Sequence, residues 1–493
     1  MSTPNYGDQP GPNGHFQGQV PQQGAYNPQF QGQVPAPGLN GQFQGQVPAP
    51  GEKKSRGKMA AIISVIVVAI LVVVGGGAFA LSRLVGGGYK SPDALAQSID
   101  SAFAKNSLVS LAGAASPEEL NAATTWQKDY KHNGGTDWSK LMDLKALKDY
   151  IDQIDIKKSE MEYTVDTKSD QVALITITKW EGDVEIKPEL ADKIREHYKE
   201  AKGSDLTANE SQAFDKMKQD IQNKPVSSGN VLENFPNNKL TLVSVKEDGK
   251  WYLSGYMTVA EQFLGTGSAQ PNYSANFTDV KGASSPEEAV SGMVDALRNG
   301  ASIGSEDVYR YLDLPERRVA AVYGGGSSSS GYSASGMGGS GVQVTWGLSS
   351  TKVSGGAIVN LGTTSITMGQ YKVEFNGGSL TVSYPDIDTR TFRTTTKTMT
   401  TNYTEGLVNP ERLGVFTVED ASGWHVSFVR TIGNLNLLAA SDDAVNQAID
   451  GLWSATGSYG VDVSKDEVRD LALNNKPFGA LLVIGWNFAK NAQ

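Results

Sequence analysis

The sequence predicts an α+β protein in which helices pack on a curved antiparallel sheet twice, after a disordered tail and one transmembrane helix. Three observations support this fold class. Near residue 70 lies an uncharged apolar run long enough to cross a bilayer. The residues before it are rich in Pro, Gly and Gln. Beyond it, a capped helix and a Trp-centred hairpin each occur twice. We therefore expect a tail at 1–58, a span at 59–84, and two outer domains at 89–268 and 283–493.

Residues 1–58 are expected to form a disordered cytoplasmic tail. They hold almost no aliphatic side chains, so they cannot bury enough apolar area to offset the entropy lost on ordering. The unit FQGQVP recurs three times, beginning at Phe16, Phe30 and Phe43. Spaced aromatic residues in a Gln-rich segment indicate a multivalent ligand for a cytoplasmic partner, and an inert repeat is the alternative.

The run from Met59 to Ser82 is expected to be a transmembrane helix. It contains 24 residues without a charge, and at ~1.5 Å per residue it exceeds the ~30 Å of bilayer hydrocarbon. The residues just before it are basic, namely Lys53, Lys54, Arg56 and Lys58. This bias predicts a cytoplasmic N-terminus and an outer C-terminal part. A cleaved signal peptide and a buried core helix are the alternatives, but the leader is long for a signal and core helices carry a polar face.

Beyond the span, two segments have the sequence of a capped amphipathic helix. The first begins at Ser91-Pro92-Asp93 and the second at Ser285-Pro286-Glu287. In each, Ser is a favourable N-cap, Pro suits the first turn, and the acid lies near the positive end of the helix dipole. Apolar residues then recur at helical spacing, so each helix has one face to bury.

Each helix is followed by strands that end in a Trp-centred hairpin. The hairpins are Glu247–Leu253 and Asp420–Val426, in which Gly supplies the positive φ of the turn. The strands expected to pair with them are Val172–Lys179 and Leu240–Val245 in the first copy, and Ala357–Leu361, Tyr371–Phe375 and Val415–Val418 in the second. The order of helix, strands and hairpin therefore occurs twice.

This order resembles the nuclear-transport-factor-two-like family, also called the cystatin-like cone. The resemblance covers residues 89–256 and 283–433 and rests on SPEEAV from Ser285 and DGKWYL from Asp248. It implies tandem extracytoplasmic cone domains in a membrane-anchored actinobacterial envelope protein. Because cones in this family bind a small ligand, host catalysis or do neither, the resemblance implies a fold and leaves the function open.

Two inserts depart from that pattern, and a C-terminal stretch extends it. A charged helical insert is expected from Pro188 to Gln222, and a flexible Gly/Ser loop from Gly324 to Gly341. Near the C-terminus, Asp442–Trp453 has the spacing of a helix. Ala480–Trp486 is too short to span a membrane and is expected to be a buried strand or short helix that completes the second copy.

The composition excludes several kinds of site. The chain has no Cys, so disulfides, thiolate nucleophiles and cysteine zinc sites are excluded. Its four His have no metal-ligand spacing, and no phosphate-loop or serine-nucleophile motif occurs. The net charge of −10 argues against nucleic acid as a partner. We expect no catalytic residue, no cofactor and no metal.

A candidate binding surface remains. In the Thr-rich segment 389–401, Arg390, Arg393 and Lys397 alternate with Thr, and this strand could face an anionic cell-wall polymer. The alternative is an edge strand whose charge prevents aggregation. Most aromatic residues of strands pack inward, and Trp346, just past the Gly/Ser loop, is the one expected to be exposed.

We therefore expect a single-pass plasma-membrane protein of a bacterial envelope whose outer part binds a partner or serves as a scaffold, without catalysis. The expected partners are the membrane, an envelope protein or wall polymer, and a cytoplasmic partner of the tail. A small-ligand receptor or enzyme with a cone pocket is the alternative, as is a sensor that signals to the tail.

Overall fold

The computed structural model describes residues 87–125, 144–223, 226–265, 270–326, 342–387, 390–391, 393–456 and 464–490. The predicted tail, the predicted transmembrane segment with its basic flank, and most of the Gly/Ser loop lie outside these ranges. Within them, every helix is too short or too polar to cross a membrane. All the described residues belong to one compact unit.

The first half begins with the predicted capped helix, α1 (Pro92–Ala104). The Ser91 hydroxyl accepts a hydrogen bond from the Ala94 backbone N–H at 3.1 Å, which satisfies a donor that the first turn leaves free. Leu95, Ile99 and Phe103 follow at a spacing of four and are buried. A 3₁₀ turn (Leu108–Gly113), α2 (Pro117–Thr124) and α3 (Leu144–Ile151) come next.

An antiparallel sheet curls around α1. Its strands are β1 (Ile154–Thr167), β2 (Val172–Ile186), β3 (Val226–Asn230), β4 (Leu240–Glu247) and β5 (Lys250–Ser254), in the order β1-β2-β4-β5 with β3 also paired to β2. Two register shifts between β1 and β2 increase the local twist and bend the sheet. Inside the curl, the rings of Phe103 and Trp180 meet edge to face at 4.6 Å. This arrangement is compatible with the predicted cone.

The predicted hairpin and the predicted charged insert are both confirmed. Asp248 and Gly249 have φ values of 47° and 77°, the left-handed conformation that a two-residue turn requires. The insert consists of α4 (Glu189–Lys202) and α5 (Ala208–Asn223). After the hairpin comes α6 (Gly255–Leu264), whose N-terminus is capped by Ser254.

The second half repeats this beginning. Ser285 caps α7 (Pro286–Arg298) by accepting a hydrogen bond from the Glu288 N–H at 3.1 Å. The short α8 (Glu306–Tyr309) and α9 (Leu314–Tyr323) follow. A four-stranded antiparallel sheet packs on α7; it contains β7 (Ser349–Val353), β8 (Gly356–Asn360), β13 (Val415–Asp420) and β14 (Gly423–Val426), in the order β14-β13-β8-β7.

A separate five-stranded antiparallel sheet is formed by one strand that precedes β7 and four strands that lie between β8 and β13. It contains β6 (Val342–Thr345), β9 (Ser365–Met368), β10 (Tyr371–Asn376), β11 (Ser379–Ile387) and β12 (Thr394–Asn402), in the order β12-β11-β10-β9-β6. The prediction that Tyr371–Phe375 pairs with the Trp424 hairpin is therefore wrong. Tight turns at Gly369 and Gly377, both at positive φ, let β10 pair with its neighbours in the chain instead.

The C-terminal region is helical. Its helices are α10 (Phe428–Leu435), α11 (Asp442–Thr456), α12 (Lys465–Asn474) and α13 (Lys476–Ala489). The helix predicted at Asp442–Trp453 is confirmed. Ala480–Trp486 lies in α13, so the strand alternative is wrong. Val483 of α13 packs with Ala448 and Ile449 in an apolar cluster of its own rather than in the sheet of the second half.

Isolated backbone bridges show how closely the two halves repeat. Each half has an antiparallel bridge to its hairpin Trp from the residue three positions before its first helix. Each also has a parallel bridge to the residue two positions after that Trp, from the residue two positions before α2 or α9. The pairs are Tyr89↔Trp251 and Ala115↔Leu253, then Ala283↔Trp424 and Leu312↔Val426. These bridges make α2 equivalent to α9 and α6 equivalent to α10. The repeat therefore extends to main-chain pairing.

The two halves share one apolar core. Val172, Val243 and Met257 of the first half are buried in the same cluster as Ala289 and Val290 of the second. Separate folding of 89–268 and 283–493 stays a prediction, and this shared cluster is the surface that separation would expose.

Candidate functional site

Buried charge is concentrated where the two halves meet, and we call this region the inter-half interface. It is formed by α2 and α6 of the first half and by α9 and α10 of the second. Helix α6 contacts α9, α10 contacts α2, and α2 contacts α9. Because α2 is equivalent to α9 and α6 to α10, a pseudo-two-fold axis relates the α6–α9 contact to the α10–α2 contact, as in a symmetric dimer.

Two equivalent carboxylates cap the helices of this interface. Glu119 of α2 accepts hydrogen bonds from the backbone N–H of Gly255 at 2.7 Å, the N–H of Tyr256 at 3.3 Å, and the Ser254 hydroxyl. Glu316 of α9 does the same for α10, from the Val429 N–H at 3.0 Å and the Ser427 hydroxyl at 3.2 Å. Each carboxylate therefore lies at the positive end of a helix dipole in its own half.

Burial gives both carboxyl groups an unusual pKa. Desolvation raises the pKa of Glu119 to about 7, although hydrogen bonds to the carboxylate oppose it. Desolvation and the nearby charge of Asp313 raise the pKa of Glu316 to about 7. Burial also raises the pKa of Tyr256, beside Glu119. The interface thus holds two acids that change charge near neutral pH.

A buried ion pair joins the two halves. Arg318 of α9 is 1% exposed, and its Nη1 lies 2.6 Å from Oε1 of Glu247, at the end of β4. The Glu247 carboxylate also accepts hydrogen bonds from the Ser116 hydroxyl at 2.5 Å and the Glu118 N–H at 3.4 Å. A buried charge is tolerated only when it is paired and hydrogen-bonded, and Glu247 meets both conditions.

A second buried arginine links the halves from the other side. Arg430 of α10 donates from Nε to Asp313 at 3.1 Å, within its own half. Its Nη1 crosses to the first half and donates to the Thr125 hydroxyl at 2.8 Å and, at 3.4 Å, to the Asn121 carbonyl oxygen. Within the described part of the chain, Nε of Arg318 and Oε2 of Glu316 are buried without a hydrogen-bond partner. The network is therefore dense but incompletely satisfied.

His425 forms another buried cluster, which sequence reasoning missed. It lies in β14, fully buried, with Nε2 2.9 Å from the Ser422 hydroxyl and 3.1 Å from Asp420. Although burial opposes it, hydrogen bonds from His425 and Ser422 hold the pKa of Asp420 below its usual range. Nη2 of Arg317 lies 3.0 Å from Nδ1 of the His425 ring. Ser422 and Asp420 share one ring nitrogen, so the cluster differs from a relay in which the acid and the hydroxyl occupy opposite nitrogens.

Exposed apolar side chains lie in pairs on α6 and on α10, and one member of each pair occupies an equivalent position. Val259 of α6 and Ile432 of α10 are equivalent and are 47% and 66% exposed. Phe263, 78% exposed, follows Val259 by four residues, and Phe428 precedes Ile432 by four. Residues four apart lie on one helix face. We call these two pairs the apolar ridges of α6 and α10.

Two clefts on the charged insert are polar, unlike the apolar ridges. A cleft of about 500 Å³ lies on the charged insert and is lined by Glu196, Lys199 and Asp205 among others; a neighbouring cleft shares these three residues. Both are open and charged, unlike the enclosed apolar pockets that hold small ligands. Among the described residues, no group of three or more His, Asp or Glu is placed to hold a metal ion.

The residues predicted as a binding surface do not lie together. Trp346 is half-buried, and its indole N–H donates to Asp295 of α7 at 2.9 Å. Lys397 lies on β12 and pairs with Asp386 at 3.0 Å, while Arg390 and Arg393 are exposed just before that strand. Trp346 follows β6, at the opposite edge of the five-stranded sheet, roughly 19 Å away at the usual strand spacing. Binding of an anionic polymer to the β12 edge stays a prediction.

Comparison of the chain with family models, with curated proteins and with solved structures found no match. The cone resemblance therefore stays a prediction, and the geometry of the two halves supplies the argument for function.

Proposed function

We propose that the chain is a single-pass, membrane-anchored envelope protein whose outer part binds a partner protein without catalysis. The apolar ridges of α6 and α10 carry this proposal. Single exposed apolar side chains are ordinary, but two on one face of a helix, as in each of these pairs, form a patch of the kind that marks protein contacts. Phe263 is the natural anchor of such a contact, because aromatic residues dominate interface energetics.

The buried acids support a structural role for the interior. Glu119 and Glu316 are occupied as helix caps, and Glu247 is occupied by Arg318. A general acid or base must reach a substrate proton within hydrogen-bond distance. Apart from Oε2 of Glu316, which is buried without a partner among the described residues, the oxygens of these carboxylates accept from backbone N–H groups, hydroxyls and an arginine, which favours a rigid platform that presents its outer surfaces.

The start of the described region supports a position near the membrane. The Gly87 carbonyl oxygen accepts hydrogen bonds from Nζ of Lys250 at 3.0 Å and from the Tyr252 hydroxyl at 3.1 Å. The predicted span ends only a few residues before Gly87. The β4/β5 hairpin would therefore lie next to the outer bilayer surface.

Site-specific photo-crosslinking in cells tests the proposal. A photoreactive amino acid at position 263 or 432 should give adducts with a second polypeptide, and one at the exposed Gln219 of α5 should give none. A protease added to cells with permeable walls should degrade the part beyond Gly87 and spare the tail. Absence of adducts at both ridge positions would contradict the proposed binding of a partner protein. Protection of the outer part from the protease would contradict the proposed membrane topology.

A further inference from the structure

The outer surface of α13 is apolar from end to end. The helix holds no charged residue between Lys476 and Lys490. Asn475 caps its start by accepting a hydrogen bond from the Phe478 N–H at 3.1 Å. An apolar helix in a folded protein is normally covered on all sides, whereas the described residues of this chain cover α13 on one side only.

Close contacts fix which side faces inward. The Asn487 side chain donates to the Glu405 carbonyl oxygen at 2.8 Å, and the Asn487 backbone carbonyl oxygen accepts from the Thr401 hydroxyl at 2.5 Å. Gly451 of α11 lies against the Trp486 ring, so closely that a Cβ there would stand 2.2 Å from it. The helix therefore cannot rotate to bury its outer face.

That outer face is a straight stripe. Phe478, Leu481, Gly485 and Phe488 are all exposed. At 100° per residue they fall within about 80° of the helix circumference. The centre of the stripe is open, because a Cβ on Gly485 would meet nothing within 4 Å.

The stripe is complementary to itself. If a second α13 lies antiparallel across it, with a two-fold axis at the level of Val483, Phe478 meets Phe488 of the other copy. The same axis sets Leu481 opposite Gly485, so a large side chain enters an open position on each side. Two aromatic pairs then close the ends.

The charges at the ends fit the same pairing. Lys476 is paired with Asp442 at 3.1 Å and Lys490 with Glu405 at 2.8 Å. The two-fold axis brings these two neutralised pairs to the same level, so neither lysine meets an unpaired like charge.

We propose that the outer face of α13 binds the same face of a second copy of the chain, as an antiparallel helix pair. The contact is independent of the ridges of α6 and α10, so this proposal and the proposed function can fail separately. Each helix is only about 21 Å long, so the contact is small, and confinement of both copies to one membrane would strengthen it.

The absence of Cys in the chain makes disulfide cross-linking a direct test. Two differently tagged full-length chains, one Phe478→Cys and one Phe488→Cys, are co-expressed, and the membranes are oxidised. The mixed disulfide should be the main product. Phe478→Cys alone should give little dimer, because its two copies would lie about 15 Å apart along the axis, beyond disulfide reach.

A second variant measures the contact itself. Leu481→Asp in the Phe478→Cys and Phe488→Cys chains should weaken dimerisation by about a hundredfold or more, since two leucines leave the contact. Met217→Asp, an exposed apolar position on α5, is the matched control and should have no effect. Unchanged circular dichroism melting shows that each variant is folded.

Three outcomes would overturn the proposal. Efficient dimers of Phe478→Cys alone would mean parallel packing, and no mixed disulfide would mean no contact. Labelling of a cysteine at position 481 by a lipid-partitioned maleimide would assign the face to the bilayer. The proposal is supported if the mixed disulfide forms, is abolished by Leu481→Asp and is left intact by Met217→Asp. This holds whatever adducts the photoreactive residues at positions 263 and 432 give.

Discussion

Removal of Arg318 is the sharpest perturbation of the inter-half interface. In Arg318→Met the side chain keeps most of its length, so the packing against Phe277 is largely retained. Glu247 then stays buried without its cation, 2.6 Å from where the guanidinium was. Loss of one partner of a buried pair costs about 3–5 kcal/mol.

The structure places the expected loss at the lower end of that range. Glu247 keeps the Ser116 hydroxyl and the Glu118 N–H as donors, so its carboxylate is not bare. We expect Arg318→Met to lower the free energy of unfolding by about 3 kcal/mol at pH 8. Replacing both partners, as Arg318→Met with Glu247→Gln, leaves no unpaired charge and should cost about 1 kcal/mol.

Urea unfolding of the detergent-solubilised chain, followed by Trp fluorescence, measures both losses. Lys148→Met is the control, because Lys148 and Asp152 form an exposed pair, and it should leave the midpoint unchanged. If the double variant loses as much as the single one, packing volume rather than charge is what the arginine supplies. A single-variant loss below about 1 kcal/mol would mean that water reaches the pair.

Three further predictions follow from other parts of the fold. Because the pKa of Glu119 rises from about 4.5 in the unfolded chain to about 7 in the folded one, the folded state binds the extra proton and loses stability as the pH rises between these values. Relative to Glu119→Gln, the parent chain should lose about 3 kcal/mol of its free energy of unfolding between pH 4.5 and pH 8. The same pH dependence for both chains in urea titrations would contradict this. Gly423 has a φ of 132°, and a Cβ on it would lie 2.5 Å from the Ala283 carbonyl oxygen, so Gly423→Ala should cost about 1–3 kcal/mol. Gly249→Ala, at positive φ but in open space, should cost about 1 kcal/mol. If thermal melting shows equal losses for the two variants, the clash with the Ala283 carbonyl oxygen is refuted. Phe103→Ala should cost about 3–5 kcal/mol and change the fluorescence of the tryptophans, since Phe103 touches Trp180; an unchanged melting temperature would mean that the core closes over the cavity.

Elements with a local cause were predictable from the sequence. The starts of α1 and α7 follow from Ser-Pro-acid caps, and the β4/β5 hairpin follows from Asp248-Gly249. These features depend on residues within about four positions of one another, so their physics is visible in the chain itself.

Elements with a distant cause were not predictable. The strand Tyr371–Asn376 has the same alternation whichever sheet receives it, and only its tight turns decide the pairing. Arg430 reaches Thr125 across 305 positions, and no local pattern indicates that contact. One signal was available: Arg317 and Arg318 interrupt the apolar pattern of α9, and a charged pair on an apolar helix requires buried partners.

The two halves repeat the same main-chain bridges but carry different charges at equivalent positions. The first-half residue that corresponds to Arg318 is Asn121, so two first halves placed face to face would each bury Glu247 with no cation. Two first halves would therefore reject each other, while a first half would still accept a second half from any copy. Where chains crowd together, a first half that exchanges its partner would pair with the second half of a neighbouring molecule, and each such exchange would restore the same pairing of charges.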